Sequence, residues 1–298
     1  MKKLNRLVAL LVLLSFPATA FAWGDTGHMT VAQIAFNSLN ENEQESVNEL
    51  AALIDFDNRH YEYVTCACWM DDIRDAPMFE PLKDWHFITQ MYIVGTPSIN
   101  GVLVVDQPPP PVNAASIIKW LIGRIKDKDE PDLKRAYYLA ELTHLVGDIH
   151  QPLHTTTRYT SARPGGDRGG NLFFLGEGAP RPNLHSYWDA GGGGFFFIPR
   201  PLTDNNRGRL TSLATGIQNQ FSKASFGTSV NQLDPMEWAR EGFELAKTEA
   251  YPVIKNGQPT ITEGGVPNSD YEANAKKISR QRVALAGYRL GEILKAAF

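Results

Sequence analysis

The sequence predicts one all-α domain, and three observations point to it. Seven stretches carry helical spacing or helix boundary signals, β-branched character is confined to one short region, and no repeat or linker divides the chain. At 298 residues with 43% hydrophobic content, the chain can bury a sizeable core.

The first 22 residues are of a different kind. Lys2, Lys3 and Arg6 precede an apolar run from Leu7 to Phe16, and Ala20-Phe21-Ala22 offers a small-x-small cleavage site. That order is a secretory signal, and the run is only half of the roughly 20 residues that span a bilayer. Cleavage after Ala22 leaves 276 residues (298 − 22) beginning at Trp23, secreted or periplasmic. The net charge moves from −4 to −7, because the leader holds three cations and no acid. A mature chain of that charge lacks the basic surface of a non-specific nucleic-acid binder, so any attraction for phosphates is local. No second apolar span follows, and a monomer without stable membrane association is expected.

Asp25 or Thr26 is placed to cap a first helix carrying Val31, Ile34, Ala35 and Leu39, and a second runs over Gln44–Ile54. Cys66 and Cys68, separated by one residue, are too close for an unstrained bridge and read as a structural or free pair. Val102–Val105 follows Asn100-Gly101 and predicts a small hairpin with Tyr92–Val94. The Pro108–Pro111 run precedes a helix over Ala114–Ile125. Pro131 opens another, which reaches His150 and stops at Pro152. Gly165–Gly170 and Gly191–Gly194 read as loops, the latter continuing into GGGGFFF, which is read as packed. Helices over Asn206–Phe221, Asp234–Thr248 and Ala273–Ala297 complete the domain.

The histidines are gathered. In ELTHLVGDIHQPLH (residues 141–154), His144 and Asp148 share one helix face, and His154 lies beyond the break at Pro152. His150 stands about 240° round the helix from His144 and is not counted with them. In NLHSYWD, His185 and Asp189 repeat the four-residue spacing. Leu142, Leu145, Val146 and Ile149 bury the first helix, where His and Asp need partners, and a metal ion satisfies several at once. Imidazole and carboxylate donors without thiolate suit zinc at an open site. WMDDIR adds Asp71 beside Arg74, and WHF adds His86 between aromatics.

Taken in order, Trp23, His28, W-x-D-x-I-R, WHF, H-x-x-x-D-x-H-Q-P-L-H, GGN and NLHxxWD resemble the zinc-dependent single-strand-specific nucleases, the S-one/P-one family that includes mung bean nuclease. The ending ALAGYRLGEIL is also similar to that family's last helix. The resemblance covers the mature chain and implies a helical domain of the zinc phospholipase C and nuclease type. It implies three Zn²⁺: one on Asp71, His86, His144 and Asp148; one sharing Asp148 with His28 and the free amine and carbonyl of Trp23; one on His154, His185 and Asp189. It also implies hydrolysis of single-stranded DNA and RNA, and of 3′-nucleotides, to 5′-phosphate products by a hydroxide held between two ions. Asp71 would orient that hydroxide and Arg74 would neutralise the phosphate oxygens. Arg74 reads equally well as an ion pair with Asp72 or Asp75. Six positive charges against three aspartates leave the site locally about +3 within a chain of −7.

For substrate contacts, Phe87 matches the family's stacking position, Asn171 of GGN is a phosphate or ligand-orienting candidate, and Thr89 stands where some relatives place an acid, leaving base preference open. A zinc phospholipase C acting on phosphatidylcholine-type lipids is the nearest alternative. The short gap from Trp23 to His28, and Asp189 where a glutamate is expected, weigh against it. A non-catalytic periplasmic zinc-binding protein would more typically carry a His-rich tract than histidines spread over distant helices.

Overall fold

The computed structural model describes residues 23–55, 59 and 62–298; the leader read at residues 1–22 lies outside the described residues. Helix α1 (Asp25–Phe36) is buried from Thr26 to Ala35. Gly24 is its N-cap and supplies no side-chain bond, so neither expected capping residue caps. Asp25 instead pairs with Arg200, and the Thr26 hydroxyl donates to Phe196 O. Helix α2 (Glu41–Ala52) starts three residues before the expected Gln44, because Asn40 and Glu43 form a reciprocal capping box.

Two single turns, α3 (Tyr63–Cys66) and α4 (Trp69–Ile73), follow. Cys66 and Cys68 are unbridged and buried there, and burial raises both thiols, so they act as small packing groups. A 3₁₀ segment over Pro77–His86 contains Pro81, whose missing N–H opposes regular α winding.

The expected hairpin is corrected. Strand β1 (Met91–Ile93) pairs in parallel with the distant β4 (Thr157–Tyr159). The turn at Asn100-Gly101, with both residues at positive φ, closes its own flanks, β2 (Ser98–Ile99) on β3 (Val102–Leu103).

Helix α5 (Ala114–Ile125) keeps the predicted bounds and is capped by Asn113 and Ser116. Helix α6 (Asp132–His150) runs through the middle, and every residue from Leu139 to His150 is buried. It ends as Gln151 turns extended ahead of Pro152. Helix α7 (Leu184–Asp189) is capped by Asn183, and α8 (Asp204–Gln220) by Thr203. Helix α9 (Pro235–Leu245) loosens into a π turn over Ala246–Ala250. A hairpin of β5 (Ile254–Lys255) and β6 (Gln258–Pro259) precedes α10 (Ser269–Lys295).

Helices α1, α2, α4, α5, α9 and α10 surround α6. Burying each of Leu139, Leu142, Leu145, Val146 and Ile149 contributes about 1.5–3 kcal/mol. A second apolar core of Leu153, Phe173, Leu184, Trp188, Tyr251 and Tyr271 lies beneath α7. The two cores meet at the end of α6, and there the polar side chains collect. Among the described residues no helix is long and apolar enough to cross a membrane.

Candidate metal centre

Eight buried donors come from six segments. Helix α6 presents His144 and Asp148, α1 presents His28, α4 presents Asp71, and the 3₁₀ segment ends on His86. The turn after Pro152 brings His154, and α7 brings His185 and Asp189. Their ligand atoms form three groups: His28, His144 and Asp148; Asp71, His86 and His144; His154, His185 and Asp189.

Backbone carbonyls aim the rings. His86 Nδ1 lies 2.8 Å from Leu82 O, His144 Nδ1 2.8 Å from Ala67 O, His154 Nδ1 2.8 Å from His86 O, and His185 Nδ1 2.7 Å from Gly169 O. A carbonyl only accepts, so each Nδ1 carries the proton and each Nε2 presents a lone pair to the centre.

Those lone pairs fit a divalent cation better than they fit one another. His28 Nε2 stands 3.4 Å from Asp148 Oδ1, His144 Nε2 3.3 Å from Asp148 Oδ2, His154 Nε2 3.7 Å from Asp189 Oδ1, and His185 Nε2 3.6 Å from Asp189 Oδ2. His86 and His144 both stand 3.9 Å from Asp71 Oδ1. Hydrogen bonds would close to about 3 Å, whereas tetrahedral donors at bond lengths of about 2.1 Å sit roughly 3.4 Å apart. His28 Nε2, His86 Nε2, His144 Nε2, His154 Nε2, both oxygens of Asp148 and one each of Asp71 and Asp189 are buried without a hydrogen-bond partner among the described residues. Leaving so many groups unsatisfied is expensive unless an ion takes them up.

The proton balance agrees. Burial pushes His86 down to about 4 and lowers His28 and His185. Burial opposes charge on His144 and His154 too, but Asp148 outweighs it, with Asp71 and Asp189 assisting, and both rise to about 9. Burial likewise opposes ionisation of Asp148, yet His144 and His154 hold it well below the carboxylate range. The protein alone offsets its carboxylates with protons on two imidazoles, and a divalent cation would displace those protons.

Trp23 is fully buried, and its indole N–H donates to Gly147 O at 2.8 Å. Gly24 N donates to Asp189 O at 3.1 Å, so the backbone at Trp23 is tied between the groups that contain Asp148 and Asp189. Gly147 allows the close fit, since a Cβ there would lie 2.8 Å from His28 Nδ1. Gln151, quoted in the motif but given no role, donates from Nε2 to Asp189 Oδ1 at 2.7 Å and accepts from Leu153 N at 2.6 Å. It joins the end of α6 to α7 and leaves Asp189 Oδ2 facing the third group. His150 points elsewhere, bonded to Val146 O and to Arg289, which shares Glu241 with Arg282. Sequence spacing gave no sign of that network, because its members are brought together only by packing.

A cavity of about 670 Å³ opens onto the centre past His86, His154 and His185. Arg74, Phe87, Thr89 and Asn171 line it, together with Tyr159 and Arg168. Arg74 donates to Asp71 Oδ1 at 2.9 Å, an ion pair different from those with Asp72 or Asp75 read in the sequence. Asp72 instead takes two bonds from Arg200. Phe87 is 42% exposed and is not a core side chain. The Asn171 amide donates to Arg168 O at 2.9 Å, bracing the loop. In GGGGFFF only Phe195 packs, against Trp23, while Phe196 and Phe197 are exposed.

The model of the S1/P1 Nuclease family matches residues 23–298. Among curated proteins the chain is similar to Endonuclease 4 of Arabidopsis thaliana, at 26% identity over 97% of this chain and 93% of that protein. Endonuclease 3 of the same plant is 25% identical, over 98% and 94%. Nuclease S1 of Aspergillus oryzae is 24% identical, over 93% and 92%. The matched span takes in all three donor groups and both cores, and the chain belongs to the S1/P1 nuclease family: it is a metal-dependent endonuclease, a hydrolase of phosphodiester bonds.

Proposed function

We propose that the chain is an exported nuclease that binds three zinc ions and hydrolyses single-stranded DNA and RNA, and 3′-nucleotides, to products bearing 5′-phosphates. The observation that carries this reading is the convergence of lone pairs from His28, His86, His144, Asp148, His154 and Asp189, buried without a hydrogen-bond partner among the described residues, beside a nucleotide-sized cavity whose wall includes His86, His154 and His185. Asp71, His86, His144 and Asp148 would hold one zinc, Asp148 with His28 and the amine and carbonyl of Trp23 a second, and His154, His185 and Asp189 the third. Bound zinc supplies a water that ionises near neutral pH and a positive field for the phosphate oxygens.

The chain's own residues do the rest. Arg74 fixes Asp71 through Oδ1, so Oδ2 is held ready to accept a hydrogen bond from the attacking water. On the cavity wall, the Arg74 guanidinium faces the charge that builds on phosphorus. Phe87 offers its exposed ring to a base that has left its stack, which favours unpaired strands. The Thr89 hydroxyl both donates and accepts, so it tolerates more than one base. Asn171 borders the same space and contacts the substrate from the opposite loop.

The test is metal analysis of the mature protein, paired with cleavage of single strands and of duplexes of the same sequence. Three zincs per chain, preference for single strands, and loss with EDTA restored by zinc are expected. Equal cleavage of duplex, or activity that survives EDTA, would overturn the reading.

A further inference from the structure

Arg168 stands in the loop between β4 and α7, within the run DRGG, at φ +55°, followed by Gly169 at +62° and Gly170 at +82°. Three successive residues are left-handed. Glycine adopts that backbone freely, and Gly169 has no alternative, because a Cβ there would lie 2.5 Å from Leu153 O. An arginine in the same conformation costs about 1–2 kcal/mol. The loop enforces it: Asn171 donates to Arg168 O from both its amide side chain and its backbone, and Leu172 N bonds Asp167 O. Asp167 in turn is buried and accepts from Arg158 N and the Tyr251 hydroxyl.

The backbone thus favours glycine at a position that carries a long cation. That cation is exposed and lines the same cavity as Phe87 and Thr89. Its guanidinium has no hydrogen bond or ion pair among the described residues, so none of these accounts for it. By contrast, Arg74 is bound to Asp71, and Lys83 on the same wall stands 4.0 Å from Asp75. A planar, permanently charged fork on the wall of that cavity matches a phosphate. The reacting phosphate belongs at the donor groups below, so Arg168 is placed for another.

Resting on the nuclease reading above, we propose that Arg168 binds a second phosphate of the polynucleotide, adjacent to the one hydrolysed, and so favours oligonucleotides over substrates with a single phosphate. The test compares kcat/KM for a short single-stranded oligonucleotide with that for a dinucleoside monophosphate, which has only the scissile phosphate. The zinc-loaded mature enzyme and the variants Arg168→Gly and Arg168→Lys are used. Glycine suits the backbone, so Arg168→Gly keeps the fold. The oligonucleotide-to-dinucleotide ratio should fall about tenfold in Arg168→Gly, mainly through KM, and less in Arg168→Lys. The logarithmic salt dependence of oligonucleotide binding should lose about 0.7 in slope. A ratio equal to wild type in Arg168→Gly overturns the inference while leaving the nuclease reading intact. Failure of the wild-type enzyme to cleave either substrate overturns both.

Discussion

Replacing Gly147 by alanine tests whether the close packing around His28 is what allows an ion to bind there. The added Cβ would lie 2.8 Å from His28 Nδ1 and 3.1 Å from Cε1, where ordinary contact begins at 3.4 Å, so the ring must recede by roughly 0.6 Å. It has little room to do so, being fully buried and stacked at 3.9 Å on His144. Metal–ligand bonds tolerate about 0.2 Å, so the shift carries Nε2 out of bonding range. Alanine is also the better helix former by about 1 kcal/mol, against about 1–3 kcal/mol for overpacking. Metal-free stability should therefore fall by no more than about 2 kcal/mol, while one of the three proposed zincs binds about 10–100-fold more weakly. Chelator competition followed by metal analysis reads this out as two tightly held ions per chain. Three ions with a wild-type competition curve would refute the reasoning.

Other expectations follow from neighbouring contacts. Gln151→Leu removes the donor to Asp189 Oδ1 and the acceptor for Leu153 N. It should weaken the zinc proposed on His154, His185 and Asp189 about 10–100-fold; unchanged metal content in the same competition would show that Gln151 does not position Asp189. Glu241 is opposed by burial, but hydrogen bonds from Arg289 and the charges of Arg282 and Arg289 prevail and hold its carboxyl below the ordinary range. A carboxylate so depressed stabilises the fold above its unfolded pKa of about 4.3 and loses that contribution as pH falls through the folded value. Thermal melts should show Tm dropping below that pH, with a shallower drop in Glu241→Gln, which itself costs about 3 kcal/mol at neutral pH. Parallel curves would remove Glu241 from the acid transition. A protein whose chain continues before Trp23 should bind one zinc fewer than the mature form, and equal counts would exclude the terminal amine as a ligand.

What the sequence revealed depended on how local each signal is. Helix α5 was legible to the residue, because a Pro run and Asn113 mark its start. The helices α3, α4 and α7 span four to six residues, too few for apolar periodicity to show. The partner of Met91–Ile93 lies at Thr157–Tyr159, and nothing near either segment announces a pairing across that distance. Within the site, the four-residue spacings of His144 with Asp148 and His185 with Asp189 were readable because one helix turn suffices to join them. The Arg74–Asp71 pair, the exposure of Phe87 and the tie from Gln151 to Asp189 depend on how separate segments meet, and no spacing encodes that.

Helix α6 supplies candidate ligand atoms and the middle of the main core from the same few residues. Change there puts folding and chemistry at risk together. The cavity wall is different: the side chains of Phe87, Thr89 and Arg168 border the opening, while Ile88 is buried in the core and Gly169 holds the His185 ring. Such a division of labour leaves the reaction fixed while the lips are free to diverge. New substrate preferences can then be grafted by exchanging those three side chains, with the buried donor groups carried over intact.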